Sequence, residues 1–318
     1  MENHNLDPRL LAQLRELEAK YQLTGQNLVD NLTGLQHANY LRYWDYIRLD
    51  TLLSLQNPRT DFPDEVVFII YHQITELYFR LMLWEIQQIS AHAQLTTRFF
   101  HERLQRLNRY VENLVRSFDI MVLGMEPEQF RQFRMALLPS SGFQSAQFRE
   151  IEIGATDFFQ LLEANYQNPL TEKAEIEEIF PYVYWKRGAT DAQTGEETIT
   201  LQHFEEKYRA HFIQLAKHFR SCNLWRCYLS LPPDGLTEKI RVEMRRFDQL
   251  MNIEWRLSHF RSAARYLKKD QETLSATGGT NWQQYLPPRF QRTIFYPRLW
   301  SEEEKKNWGR NWVETQLG

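Results

Sequence analysis

The 318-residue chain has only two cysteines, Cys222 and Cys227, too few for a disulfide framework and without a second pair to complete a zinc site. Twelve glycines and twelve prolines are too few for an all-β chain rich in tight turns. Neither sign of charge dominates. The 38 Lys and Arg against 41 Asp and Glu leave a net charge of −3, which indicates neither a nucleic-acid footprint nor a disordered polyelectrolyte. No apolar run approaches the roughly 20 residues needed to cross a bilayer. The start, MENHNLDPRLLAQL, lacks the basic and apolar regions of a signal peptide. A chain of the reducing cytoplasm, with no membrane and no nucleic acid among its partners, is expected. Walker loop, dinucleotide fingerprint, nucleophile elbow and HExxH are all missing.

What is abundant is aromatic: 9 Trp, 15 Tyr and 20 Phe, residues that supply large contact areas and line interfaces and ligand pockets. The remaining pattern is helical. Residues 63–93 form the longest helical pattern in the first half, with Pro63, Asp64 and Glu65 suited to its start. At 100° per residue, Ile70, Ile74, Leu77, Leu81 and Trp84 share one stripe, which predicts the core seam. On the opposite side His72 aligns with Phe68, Thr75, Glu76 and Phe79, either the wall of a cavity or a hydrogen-bonded histidine between packed helices.

A polar helix over 7–22 has too few apolar anchors to stand alone. The stretch 37–56 is dense in aromatics. A second amphipathic helix over 97–124 carries Leu104, Leu107, Val111 and Leu114, and a short one follows at about 127–137. Within PSSGFQSAQFRE (139–150), Ser140 or Ser141 is placed to cap a helix, and Arg149 reads as either a surface ion pair or an anion site. Residues 165–200 read as a surface excursion. His211 and His218 on the next helix, 203–222, lack the spacing of a tight metal pair. A long helix from about 236 to 269 aligns His259 with Asp248, Asn252, Trp255, Ser262, Ala263 and Tyr266; small Ser262 and Ala263 leave room for something flat, while periodicity alone favours a hydrogen-bonded core histidine. Ser301 and Glu304 form a capping box on the last helix. The predicted architecture is all-α: an N-terminal helical arm over 1–40, leaning on either its own core or a neighbouring subunit, and a helical-bundle-like domain over 41–318.

Four segments, in order, resemble one family. FIIYHQITELYFR (68–80) looks like the FIIxHQxxELWxK signature of the tryptophan 2,3-dioxygenases. YWDYIRLDTLLSLQ (43–56) resembles their YxxYLxLDxLLxxQ element, and LPSSGFQSAQFR (138–149) is similar to their SSGFQSxQ[FY]R block. WRLSHFRSAARYL followed by TGGT resembles the WRxxHxxxxxRxxG…GTGG region. The resemblance implies an all-helical, homotetrameric enzyme with a haem b pocket, ferrous when active, that opens the indole ring of L-tryptophan with O₂ to give N-formyl-L-kynurenine. It implies that His259, beside Trp255 in the haem-binding block, is the axial iron ligand. It implies that His72 stands on the distal side as the catalytic histidine at the indole N–H, that Phe68 presses on the indole, that Arg149 pairs with the carboxylate and that Thr277 takes the ammonium group. Tyr43, Tyr46 and Ile47 match the element that closes the pocket from the adjacent subunit. Three departures stand out: Pro63 where the family has His, Lys268 where it has Gly, and Asn281-Trp282 after the TGGT loop. A haem-dependent monooxygenase of tyrosine or another aromatic on the same scaffold is the alternative.

Overall fold

The computed structural model describes residues 7–38, 42–137, 144–187, 189–190, 196–233, 237–269, 272–273 and 292–310. Contacts divide the chain into two units, Met1–Gln56 and Asn57–Gly318. In the first, α1 (Pro8–Leu23), α2 (Leu28–Gln36), α3 (Tyr43–Tyr46) and α4 (Leu49–Leu53) follow one another. Asp7 and Asn27 cap the first two by accepting from Arg9 N and Val29 N, each at 2.8 Å. None of the four helices buries a residue, and Val29, Leu35, Tyr43, Tyr46 and Leu53 stand exposed on them.

The second unit begins with α5 (Asp64–Ser90), α6 (Thr97–Ser117), α7 (Asp119–Leu123), α8 (Pro127–Phe133) and α9 (Ala146–Ala155). The short α10 (Pro169–Lys173), α11 (Ile176–Ile179) and α12 (Tyr184–Arg187) lead to α13 (Ile199–Phe219) and α14 (Leu224–Leu229). Then come α15 (Glu238–Gln249), α16 (Trp255–Leu267) and α17 (Glu302–Lys306), the last with the expected Ser301–Glu304 capping box. Named strands among the described residues are two residues long, Lys268–Lys269 against Glu272–Thr273. The fold is all-α.

The centre of the second unit is α5 with α6 and α9 packed on it. Its core face is not the predicted seam. Tyr71, Thr75, Phe79, Met82, Ile86 and Ile89 are buried, whereas Ile70, Leu77, Leu81 and Trp84 are 40–57% exposed. The helix is apolar on more than one side, so several stripes fit a 3.6-residue period and composition alone does not choose between them. By length and composition α5 would also suffice to cross a bilayer, although no single run in the sequence suggested it. Its buried carboxylates are tied into the protein. Glu65 accepts from the backbone of Arg59 and Thr60, and buried Glu85 takes Arg103, Arg106 and the Tyr110 hydroxyl from α6. On α6 the predicted Leu104, Leu107, Val111 and Leu114 are all buried. Gly154 lets α9 approach closely, since a Cβ there would stand 2.9 Å from Ile86 Cγ2 and 3.4 Å from the Phe219 ring.

Two sequence expectations need correction. Residues 165–200 are not a simple surface excursion, because Ile176, Ile179, Phe180, Val183, Tyr184 and Trp185 are all buried in the core. The elements there are three to five residues long, too short to show a period. The long helix over 236–269 is interrupted by a π-helical turn, Leu250–Glu254, between α15 and α16. Ser140 and Ser141 lie outside the described residues, and the cap of α9 is Ser145, which accepts from Phe148 N.

Just before that π turn, fully buried Asp248 fastens the segment 293–300 to α15. Its oxygens accept from Phe295 N (2.9 Å), Tyr296 N (3.1 Å), Trp300 Nε1 (3.0 Å) and Asn252 Nδ2 (2.8 Å). Burial raises its pKa to about 6 against the pull of these four donors. Asp248→Asn would turn an amide NH₂ toward two of the donors while removing a buried charge, and a net loss of about 2 kcal/mol is expected. Urea denaturation checks this; an unchanged midpoint would mean that the segment is held elsewhere.

Candidate active site

Three of the four resembling blocks contribute residues that one continuous set of aromatic rings brings together. On α5 the Phe68 ring lies 4.1 Å from that of His72, with Phe133 and Phe130 beyond it at 5.7 and 6.1 Å. Tyr71 lies 6.3 Å from His72 and 5.6 Å from Phe118. Phe118, in the break between α6 and α7, lies 4.6 Å from His259 and 5.2 Å from Trp255. Trp255 meets His259 edge-on at 4.5 Å and Phe79 at 5.8 Å, and Phe79 meets Phe148, the neighbour of Arg149, at 5.5 Å.

The two histidines use one local device. His259 Nδ1 lies 3.0 Å from the Trp255 carbonyl and His72 Nδ1 lies 2.7 Å from that of Phe68, each four residues earlier on its own helix. A carbonyl oxygen only accepts, so Nδ1 carries the hydrogen and Nε2 keeps its lone pair. Burial pushes the His259 pKa down to about 4, and the nearby positive charge of Arg256 adds to the effect. Burial also lowers the His72 pKa, against the Phe68 carbonyl and Glu76. The His72 side chain itself keeps exposed surface on α5. Both imidazoles are therefore neutral at pH 7.

Arg149 is buried on α9. Its Nη1 donates to Glu152 Oε2 (2.6 Å) and to the Tyr184 hydroxyl (2.8 Å), and its guanidinium packs 5.1–5.6 Å from the rings of Phe148, Tyr184 and Trp185. Burial works against its charge, but Tyr184 and Glu152 outweigh that and hold its pKa above the ordinary value. Nε is buried without a partner, and Nη2 enters none of the bonds that hold the side chain among the described residues. One edge of the guanidinium is thus uncommitted. The surface-pair reading of Arg149 does not survive this burial.

Tyr43 and Tyr46 are strongly exposed and Ile47 moderately so on α3 and its C-cap, in the first unit. Thr277 and the departures at 281–282 lie outside the described residues, and of Lys268 only the backbone, in the two-residue strand, is described. Sequence reasoning missed Phe118 and Tyr71 as the link between the histidines, and Glu152, Tyr184 and Arg256 around Arg149. Glu152 had a signal, since an acidic residue three after an arginine faces it on a helix. Tyr184, 35 residues away, had none.

The comparisons agree with the four blocks. A family model described as tryptophan 2,3-dioxygenase matches residues 31–175. The tryptophan 2,3-dioxygenase of Ruegeria sp. (strain TM1040) is 30% identical over 272 residues, covering 83% of this chain and 92% of its own. That of Pseudomonas fluorescens Pf-5 is 29% identical over 284 residues, covering 84% and 92%, and that of Burkholderia pseudomallei K96243 is 28% identical over 277, covering 84% and 85%. With a relative at this identity aligned across nearly its whole length, and with the same blocks converging on two neutral histidines and a buried arginine, the chain belongs to the tryptophan 2,3-dioxygenase family.

Proposed function

We propose that this chain, a tryptophan-cleaving dioxygenase by family, opens the indole ring of L-tryptophan with O₂ to N-formyl-L-kynurenine, with His259 as the axial ligand of a haem b. The family is one of dioxygenases that are generally haem-dependent. The observation that carries the reading is the paired histidines, each neutral and each keeping its Nε2 lone pair. A neutral imidazole with its other nitrogen hydrogen-bonded is the donor that haem iron takes, and the Trp255 carbonyl fixes the ring orientation. Half-buried Ser262 and Ala263, one turn beyond His259, are small enough to lie under a flat macrocycle. Ferrous haem supplies O₂ binding and the oxygen chemistry when bound.

The chain's own residues handle the substrate. His72 Nε2 accepts from the indole N–H, and the Phe68 ring limits the plane in which the indole lies. The uncommitted edge of Arg149 receives the carboxylate, and Thr277 takes the ammonium group. Tyr43, Tyr46 and Ile47 are assigned to the substrate site of a second copy, which gives their exposed side chains a partner. The test is purified, reduced protein with L-tryptophan in air, with the product identified by mass. Gain of both oxygen atoms without added peroxide or reductant supports the dioxygenase; a product with one oxygen that needs peroxide would establish the monooxygenase instead.

The same reading includes a homotetramer in the cytoplasm, with no membrane. Two free cysteines suit a reducing compartment, and Glu85, buried against three α6 side chains, suits a core helix. The exposed stripe of Ile70, Leu77, Leu81 and Trp84 on α5 is assigned to contact between copies. Leu77→Arg with Leu81→Arg is expected to produce a smaller species in sedimentation velocity. An oligomer of native size would remove this face from the interface.

A further inference from the structure

We propose that Glu152 and Tyr184 are positioning residues for the reaction: together they hold Arg149 so that its uncommitted edge faces the substrate carboxylate. The inference rests on the reading of Arg149 as the carboxylate partner. The Tyr184 hydroxyl is used to capacity. It donates to Glu152 Oε1 and accepts from Arg149 Nη1 at 2.8 Å and from Arg256 Nη2 at 3.0 Å. A hydroxyl has one donor and two acceptor sites, so no spare bond remains to let it turn. Glu152, with no exposed surface, completes the closure through its second oxygen, which takes Arg149 Nη1 at 2.6 Å. Both partners therefore meet the same nitrogen of Arg149. Guanidinium nitrogens are coplanar, so fixing Nη1 from two directions also fixes the plane and heading of Nε and Nη2.

The closure reaches further than Arg149. Arg256, which also bonds Asn252 Oδ1 at 3.2 Å and lies 3.7 Å from Glu152 Oε1, stands on α16 three residues before His259. Tyr184 comes from α12, Glu152 from α9 and Arg256 from α16, so one hydroxyl holds the carboxylate arginine in register with the helix of the axial histidine. The π turn at Leu250–Glu254 presents Asn252 to this cluster. In binding terms, Glu152 and Tyr184 select for the carboxylate without touching it.

The test uses holoenzyme, with calorimetric binding of L-tryptophan and of tryptamine, which lacks the carboxylate, alongside steady-state kinetics. Tyr184→Phe keeps the ring and removes only the bridging hydroxyl. It is expected to weaken L-tryptophan binding roughly 3- to 20-fold and to raise KM by a similar factor, with kcat within about twofold of native and tryptamine binding nearly unchanged. Glu152→Gln keeps the volume but offers one acceptor oxygen for two donors, and the same ligand-selective loss is expected. It decides the matter if Tyr184→Phe fails to fold. Unchanged tryptophan affinity in these variants, or an equal loss for both ligands, would overturn the positioning role. Arg149→Ala separates the two levels. If it weakens tryptophan selectively while Tyr184→Phe and Glu152→Gln do not, positioning fails and the carboxylate reading stands. If Arg149→Ala weakens both ligands equally, the carboxylate reading fails and positioning falls with it.

Discussion

His259→Ala is expected to give protein that purifies with little haem and no ring-opening activity. The Trp255 carbonyl orients the His259 ring, and burial keeps it unprotonated at any pH above about 4. Loss of an outer partner of a metal-ligating histidine already changes metal affinity by about 10- to 100-fold, so deletion of the ligand itself should exceed that. His72→Ala is the control, because it removes an imidazole from the same aromatic cluster without removing the proposed axial donor. Haem absorbance per protein is the first measurement, and added imidazole is the second. Exogenous imidazole in the vacated space should restore part of the haem content to His259→Ala and do nothing to the native enzyme. Native haem content in His259→Ala would move the ligand to another of the nine histidines.

Legibility of the fold in the sequence depended on how one-sided each helix is. The α6 register was readable because apolar residues occupy one face and charged ones the rest, and Leu104, Leu107, Val111 and Leu114 all proved buried. On α5 the same method picked the wrong stripe. There Tyr71, Met82 and Ile86 compete with Ile70, Leu77 and Leu81, and the choice is made by what packs against the helix. The stripe it did pick is apolar and exposed, which is the basis for assigning it to contact between copies. The π turn at Leu250–Glu254 has no sequence signature, because the residues on both sides keep ordinary helical spacing.

The site was legible in its parts and not in its wiring. His72, His259 and Arg149 came from the blocks that resemble the family, and the aromatic rings of Tyr71, Phe118, Trp255, Phe79 and Phe148 link them in space. What tertiary packing added was the surroundings of Arg149. Tyr184 comes from a segment of short elements with no period, and Arg256 comes from a different helix. Such long-range partners leave no local mark, since hydrogen bonding between distant side chains imposes no spacing on either segment.

Arg149→Ala is expected to weaken L-tryptophan binding by about 10- to 150-fold, the equivalent of one charge-assisted hydrogen-bonded pair worth roughly 1.5–3 kcal/mol. A carboxylate buried among aromatic side chains must find a cation there, because an unpaired buried charge is heavily penalised. Arg149 has the charge, the burial and an uncommitted guanidinium edge. Truncation also strips Glu152 of its closest cation, at 2.6 Å, and leaves it Arg256 at 3.7 Å. Breaking a buried pair commonly costs about 3–5 kcal/mol of stability, and here the second guanidinium should keep the loss at the lower end. Binding is therefore measured well below the lowered unfolding temperature, with haem content confirming that the site is intact. Arg149→Lys should recover only part of the affinity, since an ammonium keeps the charge but cannot bond Glu152 and Tyr184 while presenting a planar edge to the ligand. The decisive comparison sets L-tryptophan and tryptamine against native and Arg149→Ala proteins. Tryptamine should bind the native enzyme poorly and lose little on mutation, so the coupling between carboxylate and guanidinium appears as the difference of the two losses. Equal losses for both ligands would make Arg149 a structural cation of the Glu152–Tyr184 cluster and send the search for the carboxylate's partner to another residue.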